Sequence, residues 1–226
     1  MKKYYVSPSL MCVDLLDLRR QISFLDKHAD FFHVDIMDGH FVPNLTLSSM
    51  IIEQISPLVT TPIDAHLMVT RPQDFIDQMI AAGAKWISPH AETINANAFR
   101  TLRYIKDKGA HVGLALNPST PLSYCELYLD MVEKITIMTV DPGFAGQKFV
   151  PQVLEKIKQA DQLRKEKGYH YLIEIDGSCN KTTFAQLKQA GADVFIAGSG
   201  LFNPINRDKV PMEQAWDAYV RDIENA

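Results

Sequence analysis

The chain has 226 residues, 46% of them apolar and 22% charged, with a formal net charge of −4. That balance suits a soluble globular protein with a substantial core, supplies no basic field for nucleic acid, and contains no apolar run long enough to span a membrane. Cys12, Cys125 and Cys179 stand far apart with no C-x-x-C, which argues against a disulfide framework or a cysteine zinc site and points to a reducing, cytoplasmic home. Lys2 and Lys3 open the chain, but Ser7, Pro8, Ser9 and Asp14 interrupt any apolar run after them, so the start makes a poor leader peptide.

Short apolar runs alternate with longer amphipathic ones along the whole chain, the pattern of strand-helix units around a parallel sheet. Strands are predicted over 5–10, 31–36, 63–68, 86–89, 112–116, 134–138, 171–175 and 194–197. Helices are predicted over 15–27, 48–55, 72–82, 95–108, 122–129, 153–167, 181–190 and 212–224. Gly83, Gly109, Gly168 and Gly191 each follow a helical run where a left-handed cap is wanted, and Pro72 suits a first helical turn. Eight such units with no linker predict one domain over 1–226, an α/β barrel of the (β/α)8 TIM type.

The second strand carries the first chemical signal. Alternation puts His33, Asp35 and Met37 on one face and Val34 and Ile36 on the other, and Asp38-Gly39 turns the chain where the strand ends. An imidazole and a carboxylate on the inner face need a partner or a metal. A hydrogen-bonded pair that merely closes the strand would satisfy that need, so the other strand ends decide. They carry Ser9, Asp64 and His66, His90, Asn117, Thr139 and Asp141, Glu174 and Asp176, then Gly198 and Ser199. In a barrel, chemistry sits at that end.

His33, Asp35, His66 and Asp176 form a mixed imidazole and carboxylate set suited to Zn²⁺, Mn²⁺, Fe²⁺ or Co²⁺, with room for substrate oxygens. Spacing alone does not establish that site. Glycine clusters at Gly143-Phe144-Ala145-Gly146-Gln147, Gly177-Ser178 and Gly198-Ser199-Gly200 are either tight turns or backbone cradles for a phosphate, and their company favours a phosphorylated small substrate. Met37, Met68 and Met138 fall at strand ends and read first as core fillers. Arg71 and Lys148 read as solvated surface charges.

These segments resemble the ribulose-phosphate 3-epimerase family over essentially the whole chain. The resemblance runs through Ser7-Pro8-Ser9-Leu10, residues 33–44 and 64–69, Leu116-Asn117-Pro118-Ser119-Thr120-Pro121, residues 141–149 and Asp176-Gly177. It implies a ribulose-phosphate-binding barrel with one divalent ion (Zn, Mn, Co, Fe or Mg) on His33, Asp35, His66 and Asp176, and no organic cofactor. It also implies Asp35 and Asp176 as the acid–base pair, Ser9 and His66 on the sugar, and residues 143–147 along the substrate. Gly177, Ser178, Gly198 and Ser199 would hold the phosphate, and Met37, Met68 and Met138 would flank the reacting carbons, against the core-filler reading.

The implied reaction inverts C3 of a 2-ketose phosphate through a metal-stabilised enediolate, one Asp taking a proton while the other gives one. Asp141, Ala145 and Ser178-Cys179 resemble the branch that acts on D-allulose 6-phosphate, giving D-fructose 6-phosphate. D-ribulose 5-phosphate is the alternative, because the residues near the reacting atoms do not separate the two. A non-catalytic sugar-phosphate binding protein is a different class, and it would be expected to lack part of the four-residue set. A phosphate-binding barrel decarboxylase would carry a lysine–aspartate network at the strand ends, and the His33-Val34-Asp35 run offers no lysine. A homo-oligomer stays open.

Overall fold

The computed structural model describes residues 4–226; Lys2 and Lys3 lie outside the described residues. Eight strands run parallel, β1 (Tyr5–Pro8), β2 (Phe32–Met37), β3 (Ile63–Met68), β4 (Trp86–Pro89), β5 (His111–Leu116), β6 (Lys134–Met138), β7 (Leu172–Asp176) and β8 (Val194–Ala197). Their order around the sheet is β1-β8-β7-β6-β5-β4-β3-β2, and the ring is drawn together by a single parallel bridge between Ser9 and His33. This is the predicted α/β barrel.

Alternation explains the layering. Val34 and Ile36 on β2, Ala65 and Leu67 on β3 and Ile135 and Ile137 on β6 face outward into one continuous apolar core shared with the helices. The inward residues are different. Phe31, Trp86 and Val194 plug the lower end, polar side chains fill the middle, and Met37, Met68 and Val42 form a small separate cluster near the top.

The helices are α1 (Leu18–Leu25), α2 (Ser49–Ile55), α3 (Ile76–Ala82), α4 (Ala91–Ile94), α5 (Ala98–Asp107), α6 (Val153–Lys167), α7 (Phe184–Ala190), α8 (Ser199–Asn206) and α9 (Met212–Glu224). One predicted α-helix is corrected. Residues 122–129 lie in two 3-10 segments, with Cys125 N–H donating to Leu122 O and Tyr128 N–H to Cys125 O, both at 3.1 Å. Buried Leu122, Cys125 and Tyr128 recur every third residue, which matches a three-residue turn rather than 3.6. In the opposite sense, α8 was unpredicted, since Gly200 and Pro204 lie inside it. The three cysteines are free, and no helix among the described residues is long and apolar enough to cross a membrane.

Candidate metal and acid–base centre

At the upper end of the barrel β2, β3 and β7 bring His33, Asp35, His66 and Asp176 together, one donor atom from each within 4.8 Å of the others. His33 Nε2 and His66 Nδ1 are 3.1 Å apart, and Asp35 Oδ1 lies 3.2 Å from the first and 3.1 Å from the second. Asp176 Oδ2 completes the group at 3.8 Å and 3.7 Å from the same two nitrogens. Two imidazole nitrogens and two carboxylates converging in a buried space form a donor set that can hold one divalent ion.

The electrostatics call for positive charge there. Burial alone would lower His33, but the carboxylates of Asp35 and Asp64 raise it well above the ordinary imidazole range. Burial likewise opposes ionisation of Asp35, and the His33 and His66 rings outweigh it and hold the carboxyl below the usual range. Asp176 behaves otherwise: burial and then the Asp35 charge push it up to about 6, against the pull of the two rings. Two carboxylates in one cluster thus differ in how readily each takes a proton, the arrangement an acid–base pair needs. Ser9 Oγ donates to Asp35 Oδ2 at 2.6 Å and orients that carboxylate, while Thr46 Oγ1 donates to the Asp35 backbone oxygen at 2.5 Å and holds the main chain there.

Above the cluster opens a pocket of about 310 Å³. Its wall holds the expected residues Ser9, Asp35, Met37, Met68, Met138, Asp176, Gly177, Ser178, Gly198 and Ser199 and the whole loop from Gly143 to Gln147. His33 and His66 are fully buried and lie behind the wall, where His33 Nε2 and His66 Nδ1 face each other and Asp35. Cys12, Asn180 and Asn203 also line it, though none is among the expected site residues.

Loop geometry follows from local chemistry. Asp38 Oδ1 accepts from the His40 and Phe41 backbone N–H groups, and its Oδ2 accepts from Thr70 N–H and Oγ1, tying the loops after β2 and β3 together. Asn44 Nδ2 donates to Gly143 O at 2.7 Å, and Ser178 Oγ to Gln147 O at 2.7 Å, so three strand-end loops meet over the pocket. Gly177 has φ of +104°, and a Cβ there would lie 2.6 Å from Val140 Cγ2, so its backbone is bare toward the pocket for both steric and conformational reasons.

Beneath the centre lies a second charged group. Lys134 Nζ is fully buried, 2.5 Å from Asp64 Oδ2 and 3.0 Å from Glu174, with the Phe31 and Trp86 rings about it at 5.4 Å and 5.3 Å. Ser88 Oγ donates to Asp64 Oδ1 at 2.7 Å and Thr136 Oγ1 to Glu174 Oε1 at 2.7 Å. Asp64 Oδ2 also stands 3.4 Å from His33 Nδ1, joining the two layers. The His33-Val34-Asp35 run offers no lysine, and Lys134 enters this lower layer from the first position of β6. The inward face of Met138 implies an inward Lys134 four residues earlier on the same strand, a signal present in the sequence.

The fold matches solved barrels. A 3-keto-L-gulonate-6-phosphate decarboxylase from Vibrio cholerae superimposes with a TM-score of 0.72 over 99% of both chains at 14% identity, which speaks for architecture alone. Sequence comparison goes further. Ribulose-phosphate 3-epimerase of Bacillus subtilis (strain 168) is 40% identical over 210 residues, 92% of this chain and 96% of that one, and the Escherichia coli (strain K12) protein of that name is 38% identical over 212 residues, 93% and 94%. The model of the ribulose-phosphate 3 epimerase family matches residues 5–202, a span that contains every strand and all four residues of the cluster, and the chain belongs to that family.

Proposed function

We propose that this chain, as a single barrel domain, interconverts the C3 epimers of D-ribulose 5-phosphate with one divalent ion held by His33, Asp35, His66 and Asp176. Membership of the family makes it a carbohydrate-phosphate epimerase; the particular sugar is the proposal. The observation that carries the reading is the convergence of Asp35 and Asp176, unequal in proton affinity, on one buried cluster at the floor of an open pocket.

When bound, the ion supplies Lewis-acid stabilisation of negative charge developing on the ketose oxygens. The chain's own residues do the rest. Asp35, ionised and oriented by Ser9, takes the C3 proton, and Asp176, the carboxyl that holds its proton more tightly, returns one to the other face of the planar intermediate. In the reverse direction the roles exchange. Met37, Met68 and Met138 line that space with polarisable apolar surface and keep water from the intermediate. Gly177, Ser178, Gly198 and Ser199 bind the phosphate through backbone and hydroxyl donors, and residues 143–147 cover the sugar.

D-allulose 6-phosphate is the second reading. The relatives favour the pentulose over the hexulose expected from the sequence, since they carry the ribulose-phosphate name. The loop wording at Asp141, Ala145 and Ser178-Cys179 favours the hexulose. One extra carbon changes selectivity by roughly ten- to two-hundred-fold. Side-by-side kcat/KM values on both sugars with metal-reconstituted protein test the proposal. A higher value for D-ribulose 5-phosphate is expected, whereas preference for the hexulose would keep the chemistry and replace the substrate.

A further inference from the structure

His66 reaches the metal cluster through Nδ1, 3.1 Å from both Asp35 Oδ1 and His33 Nε2. Its other nitrogen points away, and Nε2 lies 2.9 Å from Nε2 of fully buried His90, with the two rings stacked at 5.0 Å and 25°. Two ring nitrogens at that separation share one proton, so one must donate and the other accept. The far side of His90 decides which.

His90 Nδ1 stands 3.4 Å from Glu92 Oε2, an ion-pair distance, and neither of these buried atoms has a hydrogen-bond partner among the described residues. The Glu92 carboxylate cannot rotate away, because its Oε1 accepts from Asn117 N–H at 2.9 Å and from the Thr120 hydroxyl. Because the carboxylate facing Nδ1 can only accept, its charge favours the single N–H of a neutral His90 on Nδ1 rather than Nε2, and Nε2 then presents a lone pair to His66. His66 must then carry its own proton on Nε2, which leaves the Nδ1 lone pair directed into the cluster. Phe41, its ring 4.6 Å from that of His90, covers the relay.

We infer that Glu92 and His90 are positioning residues that fix His66 in its Nε2–H tautomer and so present Nδ1 to a divalent ion. The inference rests on the metal reading of the cluster and adds two residues that touch neither ion nor substrate. His33 has an equivalent support in Asp64, 3.4 Å behind its Nδ1, so each imidazole of the cluster is backed by a carboxylate, directly for one and through a second histidine for the other. Such outer partners commonly contribute tenfold to a hundredfold in metal affinity.

The test uses Co²⁺, followed by its visible absorption and by competition with a chelator, in the wild type and in Glu92→Gln and Glu92→Ala. The wild type should take one Co²⁺ per chain; no uptake would remove the metal reading and this inference with it. Glu92→Gln keeps the shape and the Oε1 acceptor but turns an amide N–H toward His90 Nδ1, forcing the opposite tautomer and setting N–H against N–H at His66. It should weaken Co²⁺ by roughly tenfold to a hundredfold. Glu92→Ala, which lets water accept from His90, should lose less. A role limited to holding the loop at 117–120 predicts the reverse order. Binding by Glu92→Gln within about twofold of the wild type, or weaker binding by Glu92→Ala than by Glu92→Gln, would overturn the inference. His90→Gln against His90→Leu repeats the test at the neighbouring residue, since only the amide can accept from His66; equal affinity in that pair would also contradict it. Melting of the metal-free variants reads folding separately.

Discussion

The barrel interior holds two stacked carboxylate clusters, and the lower one is neutralised by a lysine while the upper one has only imidazoles for company. Below, Asp64 and Glu174 share the ammonium of Lys134, each carboxylate has a hydroxyl donor as well, and two aromatic rings seal the group from beneath. Above, Asp35 and Asp176 meet two imidazoles and the floor of an open pocket, with no lysine or arginine among them. His33, Asp64 and Glu174 also have donor atoms close enough for a second metal set, yet Lys134 already occupies their company. Charge that the chain neutralises for itself is architecture; charge left to be neutralised from outside is a site.

The largest effect that separates the two clusters is on folding. Lys134→Met leaves two buried carboxylates without their cation, and loss of one partner of a buried pair costs about 3–5 kcal/mol. Denaturant unfolding of the metal-free variant should show a destabilisation of that size, while the upper cluster still takes one divalent ion per chain. Unchanged stability would mean that the ammonium does not hold the lower cluster together.

A smaller effect appears in the pH dependence of the metal-free protein. Asp176, raised from 3.8 to about 6 chiefly by burial, binds its proton more tightly folded than unfolded, so its stabilisation is complete below about pH 4 and is lost as pH rises through about 6. His33, which burial lowers but Asp35 and Asp64 raise well above 6.5, acts in the same direction at higher pH. Burial opposes ionisation of Asp64, yet Lys134 and His33 hold it low, so its contribution is present throughout this window and falls away only in acid. Melting of the metal-free protein should therefore decline between about pH 5 and about pH 8. A midpoint that rises over that range would break the contrast.

Much of this arrangement was legible from residue alternation. The bounds of β3, β4, β6 and β8 match the predicted strands, and β4, β6 and β8 are followed directly by His90, Thr139 and Gly198, a polar side chain or a turn residue. The four residues of the upper cluster were readable because a histidine or carboxylate at a strand end is conspicuous among apolar neighbours. Lys134 was passed over for the opposite reason. A lysine at the first position of a strand looks like an edge charge, and only the meeting of β3, β6 and β7 around the ring shows its two carboxylates. Glu92 was missed because its role depends on a contact relayed through His90, which no local spacing displays. The helix α8 was hidden by Gly200 and Pro204, both poor helix formers that tertiary packing of Leu201, Phe202 and Ile205 overrides.

The central claim is that Asp35 and Asp176 exchange protons with C3 of a ketose phosphate. Solvent deuterium incorporation tests it most directly, using metal-reconstituted wild type and Asp176→Asn with D-ribulose 5-phosphate in D2O and metal content measured in the same samples. The wild type should place deuterium at C3 as the epimers interconvert. The variant should lose turnover by about a thousandfold, within the range for removal of a proton-transfer group. Near-normal interconversion by Asp176→Asn, or epimers formed by the wild type with the C3 hydrogen unexchanged, would contradict the two-carboxylate account.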